Sequence, residues 1–179
     1  QATGPVVYRR WQELEPYLPD DVELSIEELR HAYRVPAEIM DFALPLLDRI
    51  APEVEPPLAY RKGGEPPRLV RVGEEELLPA ALREAAALAE QDGLLAVIVP
   101  RSFAGALPAG GELFDELSVP VLTPRQAKGL EFDHVIVIEP AAVADDGDRG
   151  LRELYVALTR PTKTLVVVHA RPLPDGLSG

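Results

Sequence analysis

Apolar residues along the chain fall into two kinds of run. Leu94–Val99, Val119–Thr123, His134–Ile138 and Thr164–His169 are short and have no consistently polar face. Runs of that length and character suit strands of a parallel sheet covered on both sides. Arg68–Val72 and Leu29–Tyr33 read as two further strands. The second kind is periodic. Ile39, Met40, Ala43, Leu46, Leu47 and Ile50 recur at helical spacing behind Pro36, which opens a helix in its first turn, where its missing N–H costs nothing. Pro45 inside that stripe predicts a kink. Glu74–Gln91 predicts a second helix, its acidic first turn (Glu74, Glu75, Glu76) facing the positive end of the dipole and Gly93 following as a stop. Proline and glycine crowd 51–67 and predict a loop, while 101–118 reads as weak helix or loop. Asp145–Asp148 reads as a solvated turn, with Asp148 capping a helix that runs to Thr159 and cannot pass Pro161.

Strands alternating with helices predict an α/β fold, a three-layer sandwich around a mainly parallel sheet. The expected organisation is a connecting segment at 1–21 with a short helical stretch around Trp11–Leu18, one domain at 22–171, and a frayed tail at 172–179. The opening Gln1-Ala-Thr-Gly-Pro has no initiator Met and reads like the interior of a longer sequence.

Composition narrows the chemistry. The chain has 179 residues, about one domain, and no cysteine, so disulfides and thiolate metal sites are excluded. Its three histidines, His31, His134 and His169, make no metal-ligand spacing. No apolar run approaches the roughly 18 residues of a membrane span, and no basic-then-apolar leader is present, so a cytoplasmic protein without a membrane partner is expected. The net charge of −12 argues against a uniform surface for gripping nucleic acid, because such binding is driven by neutralising phosphates. A local basic groove, or a basic protein partner, remains compatible with it.

Three segments carry candidate chemistry. In Gly150–Pro161, Leu151, Leu154 and Leu158 line one helical face and leave Thr159 and Arg160 in the last turn. For an isolated helix, Arg160 would only complement the C-terminal dipole. In Thr123–Phe132, Lys128-Gly129 turns the chain, and Gly129 permits either close backbone approach to a phosphate or a φ that other residues resist. Ala32-Tyr-Arg-Val-Pro36 is a strand-to-helix junction carrying Tyr33 and Arg34. Trp11 offers a base-stacking surface, but on a short apolar helix packing is the better reading.

Taken as whole strings, Thr123-Pro-Arg-Gln-Ala-Lys-Gly-Leu-Glu-Phe132, Leu154-Tyr-Val-Ala-Leu-Thr-Arg160 and Tyr33-Arg-Val-Pro-Ala-Glu-Ile-Met40 resemble motifs V, VI and IV of the UvrD/Rep-type superfamily 1 DNA helicases. The resemblance covers nearly the whole chain and implies a RecA-like (P-loop NTPase-like) second, C-terminal motor domain, closest to the helicase IV-like, HelD branch. It implies ATP with Mg2+ as cofactor, held mainly by the preceding RecA-like domain. Arg160 is then the arginine finger, a guanidinium fork that stabilises charge on the transferred phosphoryl group. Tyr33 stacks on adenine, Arg34 adds a phosphate contact, Glu131 accepts a ribose hydroxyl, and Gly129 lies at the nucleotide. Gln1 falls where the last residue of a γ-phosphate-sensing motif III stands. Thr123, Arg125 and Lys128 contact single-stranded DNA. Two departures stand out: Arg125 replaces the family's histidine, and Ala32 its asparagine.

No Gly-x-x-x-x-Gly-Lys-Ser/Thr loop occurs in these residues, so the implied ATP site is half complete. The leading expectation is therefore a motor domain that hydrolyses ATP only within a longer helicase. The alternative is a HelD-like factor in which ATP drives release of RNA polymerase rather than duplex unwinding. A third reading is a degenerate domain with structural duty alone.

Overall fold

The computed structural model describes residues 16–19, 31–104, 114 and 116–177, without the side chains of 31–33, 58–60 and 104. Of the predicted connecting segment only 16–19 falls within this range. Gln1, Trp11 and the start of the predicted strand at Leu29 lie outside the described residues.

Five strands form one all-parallel sheet: β3 (Arg68–Arg71), β4 (Leu95–Ile98), β5 (Val121–Leu122), β6 (Phe132–Ile138) and β7 (Pro161–His169), in the order β3-β7-β6-β4-β5. The three central strands, β7, β6 and β4, are among those whose apolar runs have no polar face, because both of their faces are covered. Alternation across the pleat sorts them. Val135, Val137, Leu165 and Val167 point to one side, where they join Ile39, Met40, Ala43 and Leu46 of α1 (Ala37–Ile50). Ile136, Ile138, Val166 and Val168 point to the other, against Leu77, Ala81, Ala85 and Leu88 of α2 (Leu77–Ala89). The expected three-layer α/β arrangement with a parallel sheet is what is observed.

Several local expectations are corrected. The predicted loop at 51–67 contains a strand, β2 (Leu58–Arg61), which pairs in parallel with β1 (His31–Pro36) as a separate two-stranded sheet. Glycine and proline around it hid a short extended segment whose partner is distant in sequence. Pro36 is the N-cap of α1 rather than its first residue, and the helix runs on through Pro45. The helix predicted from Glu74 begins as a 3-10 turn over Glu74–Glu76. A short helix, α4 (Pro140–Ala144), follows β6 and was not anticipated; a four-residue α3 (Arg101–Ala104) follows β4. Asp148 is the first residue of α5 (Asp148–Leu158), not its cap. The capping position belongs to Gly147, which makes no side-chain cap bond. The expected frayed tail is also revised, because Leu177 is 6% exposed and joins the core beneath α1.

Candidate functional site

Parallel strands bring all their N-terminal ends to one rim of the sheet and all their C-terminal ends to the other. The candidate residues divide between these rims.

At the N-terminal rim, Phe132 of β6 is in register with Pro161 of β7, so Glu131 and Arg160 precede neighbouring strands side by side. The Phe132 N–H donates to the Arg160 carbonyl at 3.4 Å. Arg34, from β1, reaches the same place and forms an ion pair with Glu131, both side chains being substantially exposed. The sequence places these three residues far apart along the chain, and the sheet gathers them at one edge. Tyr33 lies in β1, but its side chain is outside the described part.

Arg160 differs from the expected outward-reaching finger. It is only 5% exposed. Its Nε donates to the Val156 carbonyl at 2.9 Å and its Nη1 to the Leu130 carbonyl at 3.2 Å. The reason lies at the end of α5, whose last carbonyls have no partner further along the helix. Arg160 and Thr159 supply them: the Thr159 hydroxyl donates to Tyr155 O at 2.8 Å and to Val156 O at 3.2 Å. Burial depresses the Arg160 pKa, and the nearby Arg34 guanidinium lowers it further. A guanidinium starts high enough to stay charged regardless. Tyr155 closes one side of the cluster. Its hydroxyl donates to the sulfur of Met40 at 3.8 Å, and burial raises its pKa against the opposing pull of Arg160.

Gly129 sits in the turn before Leu130 with φ +83°, and a Cβ added there would meet nothing within 4 Å. The unusual φ, one of the two sequence readings for this glycine, is observed.

The C-terminal rim holds the other set. Leu122 pairs with Ile98, and Ile98 with Val137, so Thr123 emerges level with the end of β6. The Thr123 N–H and hydroxyl both donate to Gln126 Oε1, at 2.9 and 2.8 Å, and the Gln126 N–H donates back to Thr123 Oγ1 at 3.4 Å. This is the reciprocal Ser/Thr-x-x-Glu/Gln pattern of a capping box. Thr123-Pro-Arg-Gln126 carried that signal in the sequence, and reading Thr123 only as a nucleic-acid contact passed over it. Arg125 and Lys128 are exposed on the turn that leads back to Gly129.

Two buried carboxylates beside this rim were not singled out from the sequence, although Glu153 stands at i,i+4 spacing from Arg149. Glu153 of α5, with its side chain 4% exposed, pairs with Arg149 at 3.2 Å and with Arg101 at 3.7 Å, tying the start of α3 to α5. Glu139 follows β6 with φ +47°, and its Oε2 accepts the N–H groups of Ala170 and Arg171 at 2.9 and 3.3 Å. Glu139 Oε1, by contrast, is buried without a hydrogen-bond partner among the described residues. Among the described residues no three His, Asp or Glu side chains gather to hold a metal ion.

The fold and these two rims belong to an α/β domain built on one parallel sheet. Residues 118–168 match the family model of the UvrD-like helicase C-terminal domain. No curated protein matches the chain. Among solved structures, the chain is similar to the C-terminal domain of a possible DNA helicase from Lactobacillus plantarum WCFS1, at 21% identity and a TM-score of 0.58, over 82% of this chain and 92% of that one. No helix among the described residues is long and apolar enough to cross a membrane.

Proposed function

We propose that this chain is the C-terminal motor domain of an ATP-dependent superfamily 1 DNA helicase or translocase. The observation that supports it best is the convergence of Arg34, Glu131 and Arg160 on one rim, inside and beside the segment that matches the helicase family model. Two guanidiniums and a carboxylate in one place suit a ligand that carries phosphates and hydroxyls together. ATP would supply the phosphoryl group to be transferred. In this chain, Arg34 and Arg160 would neutralise its phosphates, Glu131 would accept a ribose hydroxyl, and Tyr33 would lie along it. Mg2+ and the remaining phosphate contacts would come from a preceding RecA-like domain, since no phosphate-binding loop occurs in these 179 residues. Thr123, Arg125 and Lys128, at and beside the opposite rim, would meet single-stranded DNA.

Arg160→Ala in the full-length protein is expected to lower ATP turnover on the order of a thousandfold, the usual scale for losing an arginine finger. Because Arg160 is buried, Arg34→Ala serves as a second variant at an exposed site. It should weaken nucleotide affinity without altering the fold measured by circular dichroism. Unchanged turnover in the first and unchanged affinity in the second would refute the reading and favour a purely structural domain.

The net charge of −12 favours a second reading, in which the full protein is a HelD-like factor and ATP drives release of RNA polymerase. Unwinding of naked duplex by the full-length protein supports the helicase reading. ATP-dependent polymerase release without unwinding supports the other.

A further inference from the structure

We infer that Gly129 and the carbonyl of Leu130 form a backbone latch that sets the position of Arg160, which makes Gly129 a positioning residue rather than a phosphate contact. The turn before β6 and the end of α5 are joined at two points. The Leu130 carbonyl accepts Nη1 of Arg160 at 3.2 Å, and the Arg160 carbonyl accepts the N–H of Phe132 at 3.4 Å. The turn itself is anchored from below. The Leu130 N–H donates to the carbonyl of Ala127, which is fully buried. Between that anchor and the latch stands a single left-handed residue, Gly129 at φ +83°. It reverses the chain so that the carbonyl of Leu130 faces inward, while the Leu130 side chain remains 46% exposed.

Space does not explain the glycine, because an added Cβ would touch nothing within 4 Å. Conformation does: an L-residue other than Asn or Asp resists this region of φ. If the turn relaxed to negative φ, the Leu130 carbonyl would swing away and Nη1 would lose its acceptor. Nε, bonded to the carbonyl of Val156 at the end of α5, would be left as the remaining tether. One bond alone leaves the plane of the guanidinium free to rotate, whereas two bonds from different elements fix it.

The conformational part of this inference stands on the geometry alone; its consequence for turnover rests on the nucleotide function proposed above. Gly129→Ala and Gly129→Asn separate conformation from space. Both add bulk to the open position, but Asn tolerates left-handed φ far better than Ala. In the 179-residue chain, the Arg160 guanidinium protons are read by nuclear magnetic resonance. Hydrogen exchange at Nη1 should accelerate about tenfold in the Ala variant and stay within about twofold of wild type in the Asn variant. In the full-length protein, kcat for ATP should fall about tenfold with Ala, with KM nearly constant, and recover with Asn. Equal impairment by Ala and Asn would overturn the inference in favour of a phosphate that needs the open space. Wild-type exchange in the Ala variant would overturn the latch itself. Lost protection with unchanged turnover in Gly129→Ala, together with unchanged turnover in Arg160→Ala, would overturn the nucleotide function and leave the latch standing.

Discussion

Replacing Gly150 with alanine sets two effects of opposite sign against each other, and the structure decides between them. Gly150 lies in the first turn of α5 and is buried. By helix propensity alone, Gly→Ala should stabilise the domain by about 1 kcal/mol. A Cβ at this position, however, would lie 2.2 Å from the carbonyl oxygen of Val143 in α4, and 3.1 Å from both the Ala144 carbonyl carbon and Asp146 Cβ. The first distance is more than an ångström short of ordinary contact, and its partner is backbone, which cannot rotate away. The α4–α5 hairpin would have to open. It is closed by the N–H groups of Asp145, Gly147 and Leu151, which donate to the carbonyls of Ala141, Ala144 and Gly147. Overpacking of this kind costs about 3 kcal/mol, which leaves a net loss of about 2 kcal/mol after the propensity gain. For a domain of this size that corresponds to a fall in Tm of roughly 4–8 °C. Urea denaturation followed by circular dichroism should show a midpoint about 1 M lower with an unchanged slope. A midpoint equal to or above that of wild type would show that propensity wins, and that α4 and α5 are not packed this closely. The stakes reach the N-terminal rim, since α5 leads into Arg160.

Three further outcomes are expected. Glu38 is held below the ordinary carboxylate range chiefly by its own N–H, and also by those of Gly63 and Gly64; Asp133 is held down by the Leu94 N–H first, then by Lys163 and Thr162. Both carboxylates titrate lower folded than unfolded, so their contribution is complete above about pH 4 and is lost as pH falls through the depressed folded values. Stability measured by urea should therefore drop from pH 6 to pH 3, and less steeply in Asp133→Asn; identical slopes would count against this assignment. Thr123→Val removes both bonds of the hydroxyl with Gln126, leaving only the backbone N–H of residue 123 on Gln126 Oε1, and should cost about 1 kcal/mol, read as a lower denaturation midpoint; an unchanged midpoint would show that the turn does not depend on this box. Leu177→Ala should cost about 2 kcal/mol, whereas a neutral result would restore the reading of the C-terminus as a frayed tail.

What could be read from the linear chain followed from periodicity and whole motif strings. The apolar runs at 94–99, 134–138 and 164–169 located the three central strands, and the stripe from Ile39 to Ile50 located α1, because burial on two faces or on one imposes its own spacing. Composition excluded disulfides and thiolate sites. β2 was poorly legible: its four residues are too short for a periodic signal, they stand among prolines and glycines, and they are extended through pairing with β1. The same holds for α4 and for the capping role of Gly147, both set by how the hairpin packs.

Arg160 marks the boundary most clearly. Its sequence placed it beside Pro161 at the end of a helix, with a motif that implies phosphate chemistry. That it lies inward, shared between the carbonyls of Val156 and Leu130 and next to the Arg34–Glu131 pair, was decided by the parallel register of β6 and β7. Local sequence governs backbone preference and which residues seek burial. Only the folded sheet sets the distances between segments remote in the chain, and charge and hydrogen bonding depend on those distances.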